Sequence, residues 1–147
     1  MSTKAETAAE LFLAGFNCAQ SVIAAYCEEY DMDTETALKT ASALGGGCGL
    51  AELCGAVSGG ALVVGLKYGQ YILEDTGANM NCRARRDEFL ERFIEKYGSP
   101  TCRGLLGFDH TTEEGAEKYN QVFSDRASAP CVEFVRGAAQ ILEELGY

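Results

Sequence analysis

The sequence predicts an all-α fold: a multi-helix bundle with a glycine-rich loop leading into a glycine-rich central helix. Three observations predict it. Only two prolines, Pro100 and Pro130, occur in 147 residues, and helix formers dominate the rest. No apolar–polar alternation runs longer than four residues, so strands lack their signature. Apolar residues recur instead at three- and four-residue spacing, the period of a helix that buries one face. The length suits one domain, residues 1–147. A chain of that size can bury a core without disulfides.

The elements follow in order. A first helix is expected from about Thr3 to Ala14, with Ala8, Leu11 and Phe12 on one face and Gly15 as its stop. Asn17, a good cap, opens a second that carries Val22, Ile23, Ala25 and Tyr26 and ends near Tyr30. Asp33 opens a third, with Glu35 in its first turn, where an acid suits the helix dipole. It runs through Ala37, Leu38, Ala41 and Leu44 into Gly45-Gly46-Gly47. The fourth covers roughly Glu52 to Gly69. The fifth follows a turn at Gly77-Ala78-Asn79, presents Phe89, Leu90, Phe93, Ile94 and Tyr97, and ends at Gly98. A short helical turn begins near Pro100 and ends at Gly107, and a loop leads to Thr112. Thr112 caps a helix from Glu113 to about Arg126. The last starts at Pro130 and carries Val132, Phe134, Val135, Ala138, Ile141, Leu142 and Leu145.

Charge narrows the function. Twelve basic residues stand against 22 acidic ones, a net charge of −10. Nucleic-acid affinity comes mainly from Lys and Arg neutralising phosphates, so this balance opposes it. It also opposes docking on anionic membranes. The longest weakly polar run, Cys54 to Leu66, holds four glycines and is too short to span a bilayer, which takes roughly 20 apolar residues. The opening Met1-Ser2-Thr3-Lys4-Ala5-Glu6-Thr7 is polar and acidic where a signal core would begin. A cytoplasmic location is therefore the expectation.

Seven cysteines are many for such a chain: Cys18, Cys27, Cys48, Cys54, Cys82, Cys102 and Cys131. An odd number argues against a fully paired secreted scaffold. In a reducing compartment several cysteines point to metal binding or redox work. Four fall at expected helix starts. Cys18 follows the Asn17 cap, and Cys54 lies in the first turn after the glycine-rich loop. Cys102 follows Ser99-Pro100, a cap and a first-turn proline. Cys131 follows Pro130. Unpaired backbone N–H groups and the positive end of the helix dipole favour thiolate over thiol. The thiolate is the form that attacks disulfides or binds metal. Cys82 could likewise be capped, by Asn81. Cys27 reads as a core filler. Cys48, in the loop, reads as a resolving thiol or an extra ligand. No pair has Cys-x-x-Cys spacing, so any site must be assembled from separate helices.

The loop Gly45-Gly46-Gly47-Cys48-Gly49 lacks the lysine of a phosphate loop, and no strand precedes it. In Cys54-Gly55-Ala56-Val57-Ser58-Gly59-Gly60-Ala61 each glycine costs roughly 1 kcal/mol against alanine in a helix. Gly55 and Gly59 share a face. Their purpose is close helix packing, room for a disulfide partner or cluster beside Cys54, or both.

At this segment the chain resembles the C_GCAxxG_C_C family of redox-active proteins. The motif reads Cys54-Gly55-Ala56-Val57-Ser58-Gly59. Gly65-Leu66-Lys67-Tyr68-Gly69 after it also looks familial. The upstream cysteine is Cys18 in Phe16-Asn17-Cys18-Ala19-Gln20-Ser21-Val22, and the downstream pair matches Cys102, before Leu105-Leu106-Gly107, and Cys131. The resemblance implies redox work by these four and, from gene neighbourhoods, a transporter component or redox partner nearby. A similar domain in split-Soret-type cytochromes accompanies an iron–sulfur centre. This sequence has no Cys-x-x-Cys-His, so covalent haem is not expected.

Other residues carry weaker signals. His110, the lone histidine, reads as an inert residue in a polar loop. Arg83, Arg85 and Arg86 have Asp87, Glu88 and Glu91 close by for ion pairing along the helix. Glu52 is either a first-turn acid or a proton carrier beside Cys54. Gly-x-Ser-x-Gly is absent.

Three functions remain. The first is thiol–disulfide exchange between Cys54 and one of Cys18, Cys102 or Cys131, requiring no cofactor. The second is an iron–sulfur cluster or zinc held by the same four, with Cys48 as an extra ligand. The third is a non-catalytic helical binding module for a transporter partner. A second copy of the chain is a further expected partner.

Overall fold

A computed structural model describes residues 3–147, which leaves Met1 and Ser2 of the polar opening outside the described residues. Eight α-helices are present among them: α1 Lys4–Ala14, α2 Cys18–Tyr26, α3 Thr34–Ala41, α4 Gly55–Tyr68, α5 Thr76–Tyr97, α6 Cys102–Leu106, α7 Glu113–Val122 and α8 Cys131–Glu144. The fold is all-α, as expected. No helix is long and apolar enough to cross a membrane among the described residues.

Capping chemistry sets most helix starts. Thr3 and Glu6 form a reciprocal box at α1, and Asn17 and Gln20 form another at α2. Asp33 and Thr112 accept backbone N–H groups at α3 and α7.

Four expectations need correcting. Asp75 accepts the Ala78 N–H, so Gly77-Ala78-Asn79 lies in the first turn of α5 and Cys82 falls inside that helix. Helix α3 stops at Ala41 rather than Leu44. Helix α7 stops at Val122, and Arg126–Ser128 forms a separate 3-10 turn. Helix α4 begins at Gly55, because Glu52-Leu53-Cys54 is spent on backbone pairing with another segment.

Helices α1, α2, α4, α5 and α8 enclose the main core. Phe12, Val22, Tyr26, Val57, Phe89, Phe93, Val135 and Leu142 meet there. The buried Tyr26 hydroxyl donates to the Ala139 carbonyl at 2.7 Å, so its polar atom is satisfied. A smaller cluster of Ala19, Ile23, Cys27, Ala37 and Ala41 lies where α3 covers α2. Cys27 is fully buried in it, a core filler as read from the sequence.

The glycines of α4 set how close α2 comes. A Cβ on Gly59 would lie 2.7 Å from the Ala19 carbonyl oxygen, a backbone atom that cannot turn aside. A Cβ on Gly55 would lie 2.9 Å from the Cys18 Cβ. The missing side chains thus bring the start of α2 against the start of α4, with a cysteine on each.

Candidate functional site

The four cysteines expected to act together do share a space. Cys18, Cys54, Cys102 and Cys131 all line one cavity of about 20 Å3, room for about one water molecule. Leu105, Leu106, Tyr119, Phe123 and Phe134 close its apolar sides. Cys54, Cys102 and Cys131 are buried, Cys18 is half-buried, and all seven cysteines of the chain are unpaired. Cys48 is exposed, does not line this cavity, and sits in the left-handed region at φ 60°. The expectation that it joins the site is not met.

Each cysteine is delivered by a helix start. Cys18, Cys102 and Cys131 are the first residues of α2, α6 and α8. Cys54 is the cap before α4, one step earlier than its expected place in the first turn. The cap of α6 is Thr101, which accepts the Gly104 N–H, rather than Ser99 with a first-turn proline.

Two short segments clamp Cys54 to Cys102. Leu53 and Thr101 form an isolated antiparallel bridge. The Cys54 N–H donates to the Pro100 carbonyl at 2.8 Å, and the Cys102 N–H donates to the Glu52 carbonyl at 2.6 Å. Arg103 ties the same segments through its side chain, 2.6 Å from the Glu52 carboxylate and 3.2 Å from the Ala51 carbonyl. Glu52 is therefore neither a first-turn acid of α4 nor a free proton carrier.

The glycine-rich loop forms the roof. Gly46, Gly47, Cys48, Gly49 and Ala51 all have positive φ, which coils the chain tightly between α3 and Cys54. A Cβ on Gly47 would meet the Glu52 nitrogen at 2.4 Å, so only glycine fits. His110 Nε2 lies 2.8 Å from the Gly46 carbonyl oxygen, and its ring packs on Tyr119 with centroids 4.7 Å apart. The half-buried His110 is thus a strut of the site and not the inert loop residue the sequence suggests.

Charge separates the four sulfurs. The sequence predicts a thiolate bias at every helix start, whereas three of the four sulfurs are raised. Burial pushes Cys54 up to about 12, overcoming the N–H groups of Ala56 and Val57 that its sulfur accepts. Burial likewise pushes Cys102 up to about 11. Cys131 is lowered below the usual cysteine value, chiefly by its neighbour Cys18, with smaller help from its own N–H and from Arg126. Cys18 is raised well above it, by the neighbouring Cys131 and by desolvation. A dipole of half a charge is worth less than full desolvation, so a helix start alone does not make a thiolate.

Arg126 and Tyr119 are residues the sequence reading missed. Arg126 stacks on the Phe12 ring at 4.1 Å and donates to the carbonyls of Phe12 and Phe16, which lie more than a hundred positions away in the chain. No local pattern could disclose such a partnership. The arginines that were noted lie elsewhere: Arg86 pairs with Asp87 at 2.8 Å, and Arg85 lies over the Tyr68 ring.

The residues fit a metal or cluster poorly as they stand. Among the described residues, no three Cys, His, Asp or Glu side chains converge as a metal site requires. Room for one water is far less than an iron–sulfur cluster occupies.

An all-helical domain whose helix starts bring four cysteines to one cavity belongs to the class of cysteine-centred helical proteins. Residues 16–145 match the family model described as "Putative redox-active protein (C_GCAxxG_C_C)", and the chain belongs to this family. No curated protein and no solved structure matches it significantly.

Proposed function

We propose that the protein performs thiol–disulfide exchange with Cys18 as the attacking sulfur and Cys131 as its base and resolving partner. The observation that carries this reading is that Cys18 and Cys131 line one small cavity, and that Cys18 is the one cysteine of the four that also lines an open groove. By sequence, exchange is expected to centre on Cys54. Its high proton affinity and its burial favour a supporting place instead.

The steps balance. The Cys131 thiolate accepts the Cys18 proton as the Cys18 sulfur attacks one sulfur of an external disulfide. That S–S bond breaks, a mixed disulfide forms on Cys18, and the first thiolate departs. It takes the proton from Cys131, which becomes a thiolate again. Cys131 then attacks the Cys18 sulfur and expels the second half of the substrate. Two cysteines are oxidised to one disulfide, and one external disulfide is reduced to two thiols. With a reduced partner the sequence runs backwards. Cys131 is buried, while Cys18 meets the external disulfide from the groove.

The test is a thiol count on the reduced chain before and after a mild disulfide oxidant. Loss of two thiols per chain is expected. No loss contradicts the proposal. Anaerobic purification with metal analysis tests the ligand reading in parallel: a coloured, metal-loaded protein whose four cysteines resist the oxidant would put that reading first.

A further inference from the structure

Outside the cysteine cavity lies a groove of about 430 Å3, within the range of small-molecule sites. Cys18 lines both, so its sulfur is the link between them. Asn17, His110, Tyr119 and Phe123 contribute to its walls, with Phe12 behind. The rings form a continuous face: Tyr119 lies 4.5 Å from Phe123 and 4.7 Å from His110 between centroids.

The charge of this groove differs from that of the rest of the chain. The protein carries 22 acidic residues and a net charge of −10, yet no aspartate or glutamate lines the groove. Its one side chain of fixed charge is Arg126. That guanidinium is held rigidly, stacked on Phe12 and donating through Nε and Nη2 to two backbone carbonyls. A guanidinium has five N–H donors, so donors remain for a ligand, and the two neutral carbonyls do not cancel the charge. A half-buried, pre-positioned arginine beside aromatic faces is a recognition element for a carboxylate on a short apolar stem.

We infer that the groove binds a low-molecular-weight disulfide bearing carboxylates, with Arg126 holding one carboxylate and the S–S bond presented to Cys18. This deepens the exchange reading and rests on it. The ligand is itself the oxidant: its S–S bond breaks as the Cys18–Cys131 bond forms, and it leaves as two carboxylate thiols. Arg126 also helps hold Cys131 as the thiolate that takes the Cys18 proton.

The experiment uses the reduced full chain and three small symmetrical disulfides: dithiodipropionate, which is dianionic, hydroxyethyl disulfide, which is neutral, and cystamine, which is dicationic. Each initial rate is divided by that of the same disulfide with N-acetylcysteine amide, which removes differences in intrinsic reactivity. Dithiodipropionate is expected to exceed hydroxyethyl disulfide by about fivefold or more, with cystamine slowest, and salt to narrow the gap. The chain's net charge would give the opposite order, so the preference has to come from the groove. Arg126→Gln is expected to remove the preference for dithiodipropionate over hydroxyethyl disulfide. If that variant fails to fold, the series on the unaltered chain still decides. Equal normalised rates, a preference for cystamine, or an anion preference that survives in a folded Arg126→Gln overturns this inference and leaves exchange standing. Failure of all three disulfides to oxidise the chain overturns exchange itself, and the inference with it.

Discussion

Cys18 with Cys131, and Cys54 with Cys102, are two pairs of cysteines delivered to one cavity in the same way. All four sit at helix starts beside backbone N–H groups. In the first pair each sulfur shifts the other's proton affinity, and Cys18 lines a groove that Arg126 also lines. The second is clamped by an antiparallel bridge and the Glu52–Arg103 ion pair, and burial holds both sulfurs as thiols. The difference teaches that a helix start supplies position, while the neighbouring sulfur and the depth of burial set the protonation state.

The largest expected effect follows from removing the base. Cys131→Ala is expected to slow the first exchange at Cys18 by on the order of a hundredfold, the usual worth of a positioned proton acceptor. The wild-type rate should rise with pH as Cys131 loses its proton, below the usual cysteine range. In the variant that rise should move to higher pH, since burial still raises Cys18 and its proton acceptor is gone. Stopped-flow thiol loss across pH reads both. Cys54→Ala showing the same loss and the same pH shift would erase the distinction between the two pairs.

A smaller effect sharpens the comparison through packing. Gly59→Ala places a Cβ against the Ala19 backbone and should cost about 1–3 kcal/mol, as overpacking does. It displaces α2, and with it Cys18, while leaving the Leu53–Thr101 bridge in place. Gly65→Ala, on the same helix with open space around it, should instead gain about 0.5–1 kcal/mol. Urea unfolding midpoints of the two variants separate close approach from helix propensity.

The sequence made the helices and the four cysteines legible, because caps such as Asn17, Asp33 and Thr112 act within three residues. Starts went wrong where a longer-range partner intervened. Asp75 caps α5 ahead of a glycine that reads as a turn, and Leu53 leaves helical geometry to pair with Thr101, 48 positions on by numbering. The protonation pattern was hidden for the same reason. Whether Cys54 or Cys131 ionises depends on neighbours brought together by folding: Cys18 from α2, Arg126 from a 3-10 turn, and apolar walls from α6 and α7. His110 reads as inert because its partner, the Gly46 carbonyl, lies 64 residues away.

Exchange through Cys18 and Cys131 requires that these two sulfurs join. Oxidising the reduced chain with one equivalent of a small disulfide, blocking the remaining thiols, and mapping the cross-linked peptides by mass spectrometry reads this directly. The prediction is one dominant species linking Cys18 to Cys131, with Cys54 and Cys102 blocked as free thiols. A dominant Cys54–Cys102 or Cys18–Cys54 link would contradict it.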